Sequence, residues 1–273
     1  MANSAGARFE SLLSLMARLR GEGGCPWDRE QTRATLKPYL VEEAYEVVHA
    51  IDTGSPDDLV EELGDLLFQV VFHAQIASEQ GEFTMQDVLE RLTEKMTRRH
   101  PHVFGGPALT DASEALAQWE RIKQDEADQE GRARSALDGV PDALPALLRA
   151  RRLQVKAGRV GFDWADWQGA CDKLHEELDE LRDALAGEDA ARIREEMGDV
   201  LFSLVNVARM RDIDAEDALR QAAGKFTRRF KEVEAEMKGG SRAVADASAE
   251  ELDRAWERAK ARELQGSRGS EQA

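Results

Sequence analysis

Apolar residues recur along this chain at helical rather than strand spacing. Phe9 to Arg20 carries Leu12, Leu13, Leu15, Met16 and Leu19 on one helical face, and the pattern stops at Gly21-Glu22-Gly23-Gly24. Gly24-Cys25-Pro26-Trp27-Asp28 reads as a turn, after which the period resumes from about Arg33 to Asp52 and ends at Gly54. Ser55-Pro56 offers an N-cap and a first-turn proline to the next helix, roughly Asp57 to Ser78. Leu63, Leu66, Leu67, Phe68, Val70, Val71, Phe72, Ala74 and Ile76 cover most of its circumference, which predicts a central, largely buried helix. Thr84 caps a further helix to about Arg99, and the segment His100 to Pro107 separates it from a polar helix containing Trp119-Glu120-Arg121-Ile122-Lys123.

The pattern then restarts. Gln129 to Pro145, rich in Gly, Ala, Asp and Pro, reads as a linker. Leu147 to Ala157 parallels the first helix, Gly158 to Trp164 the Gly/Trp turn, and two further helices follow at about Trp167 to Ala186 and Asp189 to Arg211. Asp214 caps the next, to about Met237, and Trp256-Glu257-Arg258-Ala259-Lys260 echoes the Trp119 stretch. No segment alternates with period two, so the expected fold is all-α, a tandem repeat of two helical bundles. The division is 1–130 for the N-terminal repeat, 131–145 for the linker and 146–273 for the C-terminal repeat.

Within this frame the acids stand out. Glu177 and Glu180 lie three apart on one helix, and Glu196 and Asp199 three apart on the next, so each pair shares a helix face. Packed antiparallel, the helices would gather four carboxylates, which cannot all ionise without a cation. Hard oxygens suit Mg²⁺, with Mn²⁺ as a substitute. Glu43, Glu46, Glu62 and Asp65 repeat the set 134 residues earlier with no insertion between them. A single Glu-x-x-Glu in an acidic protein is ordinarily a solvated helix face. Two sets in register within apolar helices argue for a site and an internal duplication.

A second motif is also doubled. Lys95-Met96-Thr97-Arg98-Arg99 matches Lys225-Phe226-Thr227-Arg228-Arg229. Lys225, Arg228 and Arg229 form a compact cationic group suited to phosphate oxygens, although a helix C-terminus also favours cations through its dipole. Lys173 lies one turn before Glu177, on the same face, where the first repeat has Tyr39. Glu176 neighbours the cluster about a hundred degrees around the helix, as a base or a supporting residue. Trp27 and Trp164 either stack on a base or pack their turns onto the bundle. His100-Pro101-His102 lacks a third ligand.

Composition narrows the partners. With 54 acids against 37 bases the net charge is -17, which excludes a protein that coats nucleic acid. Cys25 and Cys171 form no disulfide framework, no apolar run reaches a membrane span, and Met1 to Arg8 contains no signal-peptide core. A soluble cytoplasmic protein without membrane or nucleic-acid partners is expected.

Glu42-Glu43-Ala44-Tyr45-Glu46 with Glu62-Leu63-Gly64-Asp65, and the second set, resemble the EExxE and ExxD motifs of the MazG family. Gly24-Cys25-Pro26-Trp27-Asp28 and Arg98 to Phe104 resemble its two-repeat bacterial members, so the resemblance covers nearly the whole chain. It implies a homodimeric nucleoside triphosphate pyrophosphohydrolase that binds (d)NTPs such as ATP and, with Mg²⁺, releases monophosphate and pyrophosphate in nucleotide-pool housekeeping. Carried over, the catalytic metal ligands would be Glu177, Glu180, Glu196 and Asp199, with Glu43, Glu46, Glu62 and Asp65 as first-repeat equivalents. Lys173, Lys225 and Arg229 would hold phosphates, and the second repeat would supply most activity. The second turn, Gly161-Phe162-Asp163-Trp164, departs from the first, so base recognition does not transfer between them.

Two other readings compete. A di-iron carboxylate bundle needs Glu-x-x-His on two helices; Glu46-Val47-Val48-His49 supplies one, but Glu180-Leu181-Arg182-Asp183 does not supply the other. A metal- or nucleotide-binding helical scaffold would bind without turnover and make no pyrophosphate.

Overall fold

The computed structural model describes residues 4–129, 135–187, 189–239 and 243–270. Among these there is no β-strand, so the all-α expectation holds. The chain divides into two compact units, Met1–Arg132 and Ala133–Ala273.

The first unit contains α1 (Ala5–Arg20), α2 (Pro26–Glu30), α3 (Lys37–Thr53), α4 (Pro56–Glu79), α5 (Met85–Arg99) and α6 (Ala112–Gln129). The second contains α7 (Ala146–Arg159), α8 (Trp167–Gly187), α9 (Ala190–Met210), α10 (Ala215–Gly239) and α11 (Ala249–Ser270). The helix starts follow the sequence signals. Ser55 Oγ accepts from the Asp58 amide at 3.3 Å, and Thr84 forms a capping box with Asp87. Asp189 Oδ1 accepts from the Ala191 amide at 3.0 Å, and Asp214 Oδ1 from Glu216 at 3.0 Å and Asp217 at 3.1 Å. The Pro26 turn is itself a short helix, because a proline at its first position is already set for helical φ.

In the first unit the core joins Met16 and Leu36 to Val71, Phe72 and Ile76 of α4. Burial of α4 is confined to its C-terminal half, where α1 packs. Val60, Leu63, Leu67 and Val70 remain exposed, contrary to the largely buried helix expected. Amphipathic pattern alone does not tell whether a face is covered by the same unit. α8 and α9 likewise expose Leu178, Leu185, Met197, Leu201 and Leu204. In the second unit α10 and α11 close a smaller cluster of Val233, Ala255 and Ala259. Residues 135–145, expected as linker, contain turns belonging to this unit, with Arg149 of α7 paired to Asp142 at 2.5 Å.

Candidate metal and phosphate site

Each acid cluster is built by one packed helix pair, α3 with α4 and α8 with α9. One-turn spacing puts Glu196 and Asp199 on the face of α9 that meets Glu177 of α8. Glu177, Glu196 and Asp199 each offer a carboxylate oxygen within 4.8 Å of the others, and so do Glu43, Glu62 and Asp65. Glu177 is only 6% exposed. Glu180 stands outside the tight trio yet feels it. Loss of hydration, then repulsion from Glu177 and Glu196, raises its carboxyl above the usual carboxylate range. Glu43 is raised by lost hydration and then by Asp65 and Glu46, and Glu62 by lost hydration and then by Glu46 and Asp65. Three hard oxygens close enough to share one cation, with carboxyls in or beside each cluster raised toward protonation, form a donor set that fits Mg²⁺.

The two clusters differ in their cations. Lys173 Nζ lies 2.7 Å from Glu177 and 2.7 Å from Glu176, and both contacts raise its pKa, Glu176 most. Arg192 reaches Glu196 at 3.4 Å. At Lys173's first-repeat position, Tyr39 instead meets Trp27 edge-on with ring centroids 5.8 Å apart. Trp27 thereby contacts α3, while both rings remain exposed. Gln69 Nε2 approaches Glu43 Oε1 at 3.5 Å in the first unit.

The basic motif has a structural role that its own sequence does not reveal. Arg229 Nε donates to Glu263 of α11 at 2.6 Å while its guanidinium lies over Trp256, and Arg228 reaches the same glutamate at 3.3 Å. Arg98 and Arg99 repeat this on Glu126 at 2.7 and 2.6 Å, Arg99 lying over Trp119. Arg228 and Arg229 therefore tie α10 to α11. Lys225 is exposed on α10. Glu126 and Glu263 escaped sequence reading because their partners lie on another helix. The signal was their recurrence seven residues after each repeated tryptophan.

His100 and His102 have structural partners. His100 packs against Trp119 and its Nδ1 lies 2.6 Å from the Met96 carbonyl, while His102 Nδ1 lies 2.9 Å from Gln118 Oε1. His49 joins neither acid trio, which removes the geometric support for a di-iron site.

A cavity of about 470 Å³ opens in the second unit beside the Gly161 to Trp164 turn, lined among others by Gln154, Trp164, Phe202 and Asn206. Two glycines shape the turn beside it, one by proximity to Asp163 and one by its backbone conformation. A Cβ on Gly158 would sit 2.6 Å from Asp163 Oδ2, and Gly161 has φ +85. Arg209 holds Asp163 through two guanidinium nitrogens, one at 2.9 Å, and this pairing keeps the Asp163 carboxyl below its usual range.

A family model for the MazG nucleotide pyrophosphohydrolase domain matches residues 31–104 and 168–234. A Thermotoga maritima protein named nucleoside triphosphate pyrophosphohydrolase/pyrophosphatase MazG is 48% identical over 94% of this chain and 97% of its own length. An Escherichia coli K12 nucleoside triphosphate pyrophosphohydrolase is 46% identical over 94% of this chain and 98% of its own. One from Mycolicibacterium smegmatis is 35% identical over 91% of this chain and 65% of its own.

Proposed function

The chain belongs to the MazG nucleotide pyrophosphohydrolase family, and on that premise we propose that it hydrolyses (d)NTPs to monophosphate and pyrophosphate at the Glu177/Glu196/Asp199 cluster, with Mg²⁺ and mainly in its C-terminal repeat. The carrying observation is the convergence of those three carboxylate oxygens beside Lys173. A bound Mg²⁺ would lower the pKa of an attacking water and neutralise phosphate oxygens.

The chain's own residues do the rest. Water adds to the α-phosphorus, the bond to the bridging oxygen breaks, and the electron pair leaves with pyrophosphate. Glu177, Glu196 and Asp199 would hold the cation, with Glu180 completing the set. Lys173 exchanges part of its contact with Glu176 and Glu177 for a phosphate oxygen. Lys225 stabilises the leaving pyrophosphate, while Arg228 and Arg229 act there only so far as they release Glu263. Tyr39, packed on Trp27 where the second repeat has Lys173, supports weak or absent turnover in the first repeat, which retains metal binding.

The exposed apolar faces of α3/α4 and α8/α9 support a homodimer that covers them, since so much unpartnered leucine and valine is costly in water. No described helix is long and apolar enough to cross a membrane. Housekeeping of a cytoplasmic nucleotide pool fits this activity.

Phosphorus NMR of the protein with Mg²⁺ and a dNTP panel tests the proposal. Pyrophosphate with nucleoside monophosphate is expected. Orthophosphate with diphosphate would mean that a different phosphorus is attacked, and an unchanged spectrum would favour the binding scaffold.

A further inference from the structure

We propose that the first repeat's acid cluster is a standing cation site, filled at lower divalent-cation concentration than the second cluster when no nucleotide is bound, and that Gln69 is the residue that positions its ligand Glu43. This rests on both acid clusters being metal sites, as in the proposed function, and adds to that reading an order of filling and a positioning residue.

The first observation is charge. Glu43, Glu62 and Asp65 stand 134 positions before Glu177, Glu196 and Asp199. In the second cluster Lys173 lies 2.7 Å from Glu177 and Arg192 3.4 Å from Glu196, so two of the three converging carboxylates already face a cation. At the positions of these two cations the first repeat has Tyr39 and Asp58. Among the described residues no lysine or arginine pairs with Glu43, Glu62 or Asp65, and Asp58 repels Glu62 instead of pairing with it. A divalent ion entering the second cluster is opposed by an ammonium and a guanidinium, whereas one entering the first meets acids alone. Nucleotide lifts part of that opposition, because phosphate oxygens draw Lys173 toward themselves. The second cluster therefore fills together with its nucleotide, and the first fills without one.

The second observation is a buried amide. Gln69 lies one turn beyond Asp65 on α4 and is 7% exposed, and its Nε2 approaches Glu43 Oε1 at 3.5 Å. The equivalent residue of the second repeat is Ser203, whose side chain ends two bonds short of that reach. Equivalent carboxylates are thus held by an ammonium in one repeat and by a neutral amide in the other. The amide orients Glu43 without adding positive charge, so it does not oppose the ion that Glu43 is to hold. Gln69 Oε1 is buried with no hydrogen-bond partner. Turning the amide over would set that oxygen against the Glu43 carboxylate, so Oε1 stays an acceptor beside the cluster. Mg²⁺ keeps several waters when carboxylates bind it, and a water held there would supply the missing donor. A buried acceptor without a donor carries a desolvation cost that such a partner relieves.

The test titrates Mn²⁺ into the full chain without nucleotide, reading the free ion by electron paramagnetic resonance and the fold by circular dichroism. Wild type should show two affinities at least about tenfold apart. Asp65→Asn should remove the tighter and Asp199→Asn the weaker. Lys173→Met should strengthen the weaker about fivefold and leave the tighter where it was. Gln69→Leu should weaken the tighter at least about tenfold. Most of that loss should disappear in a Glu43→Gln background, because Gln69 acts chiefly through Glu43. Gln69→Ser, which installs the second repeat's residue, should weaken the tighter site equally and makes the same comparison where leucine disturbs the fold. A single affinity, or loss of the tighter one in Asp199→Asn, would overturn the order of filling. Unchanged Mn²⁺ affinity in a folded Gln69 variant would overturn that residue's role. Failure of wild type to bind Mn²⁺ would remove the metal reading beneath both, whereas two intact affinities without pyrophosphate release from a dNTP would remove hydrolysis alone.

Discussion

Asp199→Asn should make the protein more stable without Mg²⁺ and less stable with it. The substitution keeps the side-chain shape and removes one charge from a group whose oxygens converge within 4.8 Å of those of Glu177 and Glu196. At that separation each like-charge pair costs about 0.9 kcal/mol in a water-like dielectric. Screening at physiological ionic strength reduces the two pairs together to roughly 1 kcal/mol. Relieving it should raise the melting temperature in EDTA by about 3 °C. With Mg²⁺ at a hundred times its dissociation constant, wild type should gain about 2.7 kcal/mol, most of which the variant forfeits. The two proteins therefore exchange order between EDTA and saturating Mg²⁺, as calorimetry in both buffers would record. A variant that melts below wild type in EDTA refutes the repulsion, and an undiminished Mg²⁺ shift refutes Asp199 as a ligand. Pyrophosphate release should fall by more than about a hundredfold in the same variant.

Three further outcomes test the surrounding structure. Phe72→Ala, at a core ring 1% exposed, should cost about 3–5 kcal/mol in chemical denaturation; a loss below about 1 kcal/mol would mean that the first unit's core is not built around it. Glu126 has its carboxyl pulled down to about 2 by Arg99, with Arg98 adding to it. A depressed folded-state pKa gives stability that is complete above the ordinary glutamate value and lost as pH falls toward 2, so Glu126→Gln should lose roughly 2 kcal/mol at neutral pH and flatten the acid limb of the stability profile. Asp163→Asn removes the charge that Arg209 clasps and should destabilise the second unit by about 1.5–3 kcal/mol at pH 7, with the thermal melts of variant and wild type drawing together only as pH falls below the ordinary aspartate range.

What the sequence made legible is what depends on neighbours along one helix. The caps at Ser55, Thr84 and Asp214 are local hydrogen bonds, and the acid pairs are one-turn spacings, so both follow from order alone. The illegible features depend on which helix lies opposite. Arg229 could be read as a phosphate ligand because nothing in its own stretch announces Glu263. The burial of α4 was overestimated because an apolar circumference records what a face can pack against, not what covers it. Gln154 gave no signal at all, since a lone glutamine in an amphipathic helix is unremarked until its partners are known.

The duplication supplies an internal control for these ambiguities. Both repeats keep three converging carboxylates, so selection on the acids alone would leave the units equivalent. They differ in what surrounds the acids: Tyr39 against Lys173 beside the cluster, and Phe72 against Asn206 two turns along the helix. In the first unit both positions carry rings engaged in packing, Tyr39 against Trp27 and Phe72 in the core. In the second they present a cation and an amide beside a cavity. The lysine beside the acids, present in one repeat and absent from the other, is the physical argument behind the proposal that turnover belongs to the C-terminal unit. Restoring both in the first unit, by Tyr39→Lys with Phe72→Asn, should damage its core before it could create a second active site, because Phe72 also holds the cluster of Met16, Leu36 and Ile76 together.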